Sequence, residues 1–251
     1  MRIAIVGFGL IGGSIARGLA RPGAAASLAG PVDLAAWSLT SAGTRAALAD
    51  GVIGRAPATL GETVDGADLV VLAAPPLDCL DLLDELGGAL VGALAAGATI
   101  TDVASTKAVV IERADRLGLR FVGGHPMAGR DATGYAAAEA DLFVDRPWVV
   151  CPGANAAPSD VDRVERLARA TGAHPIRLAP AAHDRAVAAI SHAPLVVSAA
   201  LVEAMTGRPD WPLARSLAAG GWRDMTRLAG GAPDMGTGIA ATNGPEIAAA
   251  V

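Results

Sequence analysis

Short apolar runs alternate with longer amphipathic ones through the first two-thirds of the chain. The short runs fall at Arg2–Gly7, Val32–Trp37, Leu69–Ala73, Ala98–Val103, Arg120–Val122, Trp148–Cys151 and Pro175–Leu178. They are nearly continuous in hydrophobicity, as strands buried on both faces are. Between them, Gly12–Ala20, Ser41–Ala49, Asp78–Leu90, Thr106–Leu117 and Asp160–Thr171 carry helical spacing. Strands alternating with helices predict an α/β fold, a mostly parallel sheet with crossover helices. After Pro180 the strand pattern stops, and residues 181–206, 211–229 and roughly 235–250 read as helices punctuated by Pro and Gly. Two domains are expected, residues 1–178 with the sheet and a small all-helical domain at 179–251. So few helices bury little by themselves. The small residues Ala188, Ala189, Ser198, Ala199 and Ala200 suggest close packing on a partner subunit, so a homodimer is expected.

Composition narrows the function. Apolar residues make up 52% but aromatics only 3%, so the core packs through close backbone approach more than through bulky anchors. A net charge of −5 argues against nucleic acid, which wants a basic face. It also means that an anionic small-molecule substrate must be met by a few local cations. Cys79 and Cys151 are too few for a disulfide framework or metal knuckle and read as buried thiols in a reducing cytosol. The opening MRIAIVGFGLIGGS reads as strand and turn, not as a leader. The apolar stretch Ala186 to Val202 is broken by His192 and Pro194 and is expected to fall short of a membrane span. A soluble cytoplasmic protein without a membrane partner is expected.

Gly7-Phe8-Gly9-Leu10-Ile11-Gly12 is a GxGxxG directly after a strand and before a helix. Its first glycine permits the turn, the second admits a pyrophosphate to the backbone, and the third lets helix and strand pack closely. The helix N-terminus then offers unpaired N–H groups to phosphate. This context predicts a Rossmann-type domain binding NAD or NADP. The residue that would hold the adenine ribose lies at the end of the second strand, where Ser38, Leu39 and Thr40 stand, with Arg45 nearby. Asp33 lies at the wrong end of that strand. Without a carboxylate to repel a 2′-phosphate, NADP or dual use is favoured. Ala74-Pro75-Pro76, ending the third strand, places rigid backbone beside the cofactor, or simply initiates a helix.

Gly123-Gly124-His125-Pro126-Met127-Ala128-Gly129 follows another strand, and a histidine fixed there by Pro is a candidate general base. Asp102-Val103-Ala104-Ser105-Thr106-Lys107 ends the preceding strand and brings the Ser105 hydroxyl to the same edge; Ser105 or Thr106 could equally cap the next helix. With GFGLIGGS, these two motifs, His183-Asp184, Ser191-His192-Ala193-Pro194 and Gly220-Gly221-Trp222-Arg223-Asp224-Met225-Thr226-Arg227 in order, the chain resembles the prephenate/arogenate dehydrogenases from Arg2 to about Asn243.

The resemblance implies a Rossmann-type domain, a helical dimerisation domain, and oxidative decarboxylation of prephenate or arogenate with hydride transfer to NAD(P) in tyrosine biosynthesis. It assigns proton removal to His125 and a hydrogen bond to the reacting hydroxyl, or to His125, to Ser105. Arg227 would clamp a substrate carboxylate, held by Asp224 one turn earlier, although a plain surface ion pair between the two is the competing reading. His192, Gly129 and Arg130 would line the substrate side. Aromatisation drives the reaction, so no metal is expected.

Several positions depart from the family pattern. Arg130 and Asp131 replace the usual Thr or Ser and Glu, Leu195 replaces a second histidine, and Met235-Gly236 stands where a Trp is common. The stop at Val251 leads to the expectation that no appended regulatory domain is present. The reacting groups are intact, but the choice between prephenate and arogenate is left open. Two other readings compete, a β-hydroxyacid-type dehydrogenase and an NAD(P)-sensing module without turnover. The pair of motifs around His125 and Arg227 disfavours the first, and the presence of His125 with Ser105 disfavours the second.

Overall fold

The computed structural model describes residues 1–28, 30–130 and 132–251. Two compact units divide it, Met1–Pro180 and Ala181–Val251.

The first unit carries strands β1 (Arg2–Val6), β2 (Asp33–Trp37), β3 (Leu69–Leu72), β4 (Thr99–Asp102), β5 (Phe121–Pro126), β6 (Pro147–Pro152) and β7 (His174–Arg177). Its helices are α1 (Leu10–Leu19), α2 (Ala24–Ser27), α3 (Ala42–Ala49), α4 (Leu60–Val64), α5 (Pro76–Gly87), α6 (Ala108–Arg116) and α7 (Pro158–Ala170). The strands form one sheet in the order β2-β1-β3-β4-β5-β6-β7. A one-residue parallel bridge between Ala35 and Arg55 adds a vestigial strand outside β2. Counted with it, the order is that of doubly wound dinucleotide-binding sheets, which change winding direction between β1 and β3.

Alternate residues of the strands feed opposite cores, because successive side chains point to opposite faces. Ile3, Ile5, Leu69 and Val71 pack with Ile15 of α1 and Val164 and Leu167 of α7. Ala4, Val6, Val70 and Leu72 pack with Leu83 and Leu86 of α5 and Val110 and Ile111 of α6.

The sheet is mostly parallel, as expected, with one antiparallel junction. Strands β5 and β6 pair antiparallel, with His125 opposite Val149 and Pro126 opposite Trp148. Among the described residues, the connection between them carries no crossover helix, only a 3₁₀ turn at Tyr135–Ala137, so the chain returns from the same end of the sheet. Strand β5 also runs four residues further than expected, through Gly123–Pro126. His125 therefore lies within a strand and not in a loop after it. Strand β7 sits at the sheet's edge and is largely exposed, unlike the doubly buried strands of the centre.

A buried polar knot ties the amino edge of the sheet. The Asp160 carboxylate in α7 accepts from the Thr99 hydroxyl at 2.6 Å, from Arg120 at 2.9 and 3.0 Å, and from the Ala157 amide at 2.7 Å. Burial opposes its ionisation, but the Arg120, Thr99 and Ala157 hydrogen bonds prevail and hold it below the usual carboxylate range. A depressed carboxylate contributes stability that is present above its unfolded pKa and lost as pH falls through its folded value. Asp160→Ala is expected to cost about 3 kcal/mol in denaturant unfolding at neutral pH and to flatten the acid fall in stability. An unchanged unfolding midpoint would show the knot to be idle.

The second unit holds α8 (Pro180–Val187), a π turn (Ala188–His192), α9 (Ala193–Thr206), α10 (Trp211–Ser216), α11 (Gly220–Thr226), a 3₁₀ turn (Arg227–Gly230) and α12 (Pro233–Ala250). His192 and Pro194 do not break the apolar stretch, contrary to expectation. Helix continues from Pro180 to Thr206, long and apolar enough on length and composition to cross a membrane. The π turn absorbs the irregularity, and Pro194 falls in the first turn of α9, where a missing N–H costs no hydrogen bond. The same run buries His183, Asp184 and His192 among hydrogen-bonding partners, while most of its other residues are exposed or half-buried. Of the small residues expected at a subunit interface, Ala188 and Ser198 are buried within this unit, the latter bonded to Met225 and Ala229. Ala189, Ala199 and Ala200 are exposed, beside exposed Ile190, Val196 and Val197.

Candidate functional site

The glycine loop has the geometry that its pattern predicts. Gly7 has φ +89°, and a Cβ there would lie 2.4 Å from the Ala73 carbonyl oxygen. At Gly12 a Cβ would lie 2.3 Å from the Gly7 carbonyl oxygen, so both positions exclude side chains. Gly9, which caps α1, faces open space. A backbone turn with a bare N-terminal helix end and room over its central glycine fits a pyrophosphate. The Ala73 amide donates to the Val6 carbonyl at 2.6 Å, setting Ala74 and Pro75 beside the loop. The Phe8 ring is buried and stacks on Tyr135 at 5.4 Å, so only its backbone is available to a cofactor. Leu10 and Ile11 are half-buried in the first turn of α1.

These contrasts separate binding from folding. Gly9→Val is expected to keep the melting temperature while weakening nucleotide binding at least tenfold, about 1.4 kcal/mol by calorimetric titration. Wild-type affinity in this variant would place the pyrophosphate elsewhere.

The β2 end lies against this loop, the Gly7 amide donating to the Trp37 carbonyl at 2.9 Å. Ser38 is half-buried and Thr40 exposed, and no carboxylate occurs from Ser38 to Ala49. Arg45 donates to the Ser41 hydroxyl. Asp33, at the opposite end of β2, is engaged by Arg55 at 3.2 Å and Arg2 at 3.5 Å.

Strands β4 and β5 pair in parallel, Thr101 opposite Val122, so the segments following these residues run toward the same edge of the sheet as the glycine loop. Ser105 follows β4. It caps no helix, because α6 begins after Lys107 without any side-chain cap. Its hydroxyl oxygen is shielded from solvent and makes no hydrogen bond in the structure. His125, half-buried, is held by its neighbours. The Gly124 amide donates to the Asp102 carboxylate at 3.0 Å, and the Met127 amide donates to the Pro147 carbonyl at 2.8 Å. Gly124 permits this closeness, since a Cβ there would lie 2.6 Å from the Asp102 carbonyl oxygen and 3.0 Å from the Trp148 indole nitrogen. The arrangement offers a hydroxyl just past β4 and a proton acceptor in the adjacent β5, two and three strands from the cofactor turn at β1.

Two residues here escaped the sequence reading. Asp102 and Lys107 form an ion pair with both side chains fully buried. Burial outweighs the opposing pull of Lys107 and of the Gly124 and Ala104 amides and holds the Asp102 carboxyl above the usual carboxylate range. An acid and a base five residues apart within apolar surroundings were the available signal. Tyr135 was also missed. It donates to Asp50 at 3.0 Å, lies under Arg17, and packs on α1 at Gly13.

Gly129 is exposed with open space around it. Arg130 is exposed and ion-paired with Glu139, so its guanidinium is already engaged. Asp131 lies outside the described residues. In the second unit His192 is buried, its Nδ1 3.0 Å from the Asn243 amide nitrogen and its Nε2 without a hydrogen-bond partner. Burial lowers its pKa to about 4, with Asp184 opposing and His183 assisting, so the ring is neutral at physiological pH. The Asn243 amide also donates to the Asp184 carbonyl at 3.0 Å from a kink in α12, where its φ of −132° departs from the helix. Arg227 is exposed at the end of α11. Asp224 is exposed one turn earlier in the same helix. Arg227 opens the 3₁₀ turn that follows α11.

Residues 36–177 match the model of the prephenate dehydrogenase nucleotide-binding domain, and residues 179–251 match that of the prephenate dehydrogenase dimerization domain. The chain is 34% identical to a prephenate dehydrogenase of Bacillus subtilis (strain 168) over 98% of its own length and 65% of that relative. It thus spans slightly under two-thirds of that protein. The crystal structure of Synechocystis arogenate dehydrogenase is similar with a TM-score of 0.80 at 35% identity, covering 100% of this chain and 86% of that one. A prephenate dehydrogenase from A. aeolicus, in complex with hydroxyphenyl propionate and NAD+, gives a TM-score of 0.87 at 25% identity, covering 100% and 85%.

Proposed function

The chain belongs to the prephenate dehydrogenase family, and we propose that it oxidatively decarboxylates prephenate or arogenate in tyrosine biosynthesis, as a cytoplasmic homodimer using NAD or NADP. The observation that carries this reading is the emergence of His125 and the unengaged Ser105 hydroxyl from adjacent strands, at the sheet edge that bears the glycine loop.

The backbone of Gly7–Gly12 holds the pyrophosphate, with Ala74 and Pro75 alongside. The bound nicotinamide supplies the hydride acceptor. His125 takes the proton of the ring 4-hydroxyl, and Ser105 orients that hydroxyl. As the C–H pair leaves, the bond to the ring carboxylate breaks and its electrons complete the aromatic ring, with loss of carbon dioxide. The protein therefore needs to position and deprotonate. Arg227 binds a substrate carboxylate. His192, neutral and buried, supplies polarity but no charge. At the ribose, hydroxyls and Arg45 with no carboxylate favour NADP or dual use.

The test offers prephenate and arogenate separately, each with NAD and with NADP, and follows the nicotinamide absorbance. Turnover of at least one substrate is expected, with kcat/KM for NADP at least equal to that for NAD. No turnover of either substrate overturns the function, and a strong NAD preference overturns the cofactor assignment. Light scattering should give twice the mass of one chain.

A further inference from the structure

We propose that Asp102 is a positioning residue whose single carboxylate sets the spacing of Ser105 and His125, with Lys107 as the counter-ion that keeps it charged. The proposal rests on the dehydrogenase reading above. Asp102 ends β4 and is fully buried. One of its oxygens, Oδ1, accepts from the Gly124 amide at 3.0 Å, and the other, Oδ2, accepts from the Ala104 amide at 3.2 Å and from Lys107. Gly124 immediately precedes His125, and Ala104 immediately precedes Ser105. The two reacting groups, 20 positions apart in the chain, thus hang from one rigid planar group.

A buried ion pair is a costly way to join two strands, and well-packed apolar residues often do as well or better. Strands β4 and β5 are already joined by their own ladder. What the carboxylate adds is a fixed distance between two segments beyond the ladder's last pair, Thr101 opposite Val122. Only an ionised Asp102 has acceptors for both amides. A protonated one would turn an O–H towards one of them.

The groups facing Asp102 are Lys107 from its own segment, Cys79 from α5, and the His125 segment of β5. The Cys79 thiol, itself pushed up by burial and by Asp102, stays neutral. Lys107 is therefore the cation that opposes burial of the Asp102 charge. Without it the carboxyl protonates at a higher pH.

The test uses the full chain. Lys107→Met is expected to lower kcat about 30-fold at neutral pH, the size of effect that a small misplacement produces. Activity should recover as pH rises, with the acid limb of the kcat profile moved up by at least about one pH unit. Without nucleotide or substrate, the Gly124 amide should exchange its hydrogen about tenfold faster at neutral pH, and this too should reverse on raising pH. Nucleotide affinity should stay within about threefold, because the glycine loop rests on β1 and β3. A merely structural pair would lower the melting temperature and leave the pH limb in place, which overturns the proposal.

Should Lys107→Met not fold, the neutral double variant Asp102→Asn/Lys107→Met serves instead. It is expected to lose kcat about 30-fold at every pH, because an amide can accept from only one side. Wild-type kcat in the double variant overturns the proposal. If the wild-type protein oxidises neither substrate, the dehydrogenase reading fails separately, and the exchange measurement still reads the clamp.

Discussion

His125→Asn lowers kcat by about three orders of magnitude while nucleotide affinity stays within about twofold, the loss expected when a general base is removed but its frame is kept. Asparagine fits the site because position 125 is a strand residue opposite Val149, and its backbone is set by β6 and by Gly124 on Asp102. The amide can still hydrogen-bond to the substrate hydroxyl, so binding survives, but it cannot accept the proton at neutral pH. The acid limb of the pH–rate profile, which reports the base, should disappear with it. Single-turnover absorbance measurements with saturating substrate and nucleotide would show the loss in the chemical step. A variant with wild-type kcat would mean that the proton leaves by another route and that the imidazole is a bystander.

Arg227→Gln is expected to raise the substrate KM about 100-fold and leave kcat within about threefold. Carboxylate binding by a guanidinium is shared by ground and transition states, and its loss appears in KM alone. His192 is held neutral by burial, with a pKa of about 4, and cannot serve as the cation. Arg227 is exposed, so its replacement should leave the melting temperature where it was. Arg227→Lys should recover only part of the affinity, since an ammonium cannot reproduce the two parallel hydrogen bonds. A kcat loss equal to the kcat/KM loss would instead assign Arg227 to the transition state.

Reading the chain by pattern succeeded where the signal is local. The seven apolar runs became the seven strands, and the glycine turn has the close approaches at Gly7 and Gly12 that its spacing demands. Ser105 shows how far such reading reaches. Its segment was identified by motif, while the alternative that it caps a helix was removed only when α6 proved to start beyond Lys107. At His192 and Pro194 residues that ordinarily interrupt a helix were carried through by a π turn and by placement in a first turn.

The sequence by itself determined the local elements: strand periods, helix periods, the glycine turn and the ordered motifs around His125 and Arg227. These depend on residues close in the chain, whose steric and hydrophobic preferences act without knowledge of the rest. Tertiary structure alone decided the reversal of β6 against β5, the burial that neutralises His192, and the pairing of Asp102 with Gly124 across 22 positions. Each of these turns on which strand or helix comes to lie beside another and on how much water is excluded there. Local preference does not encode that.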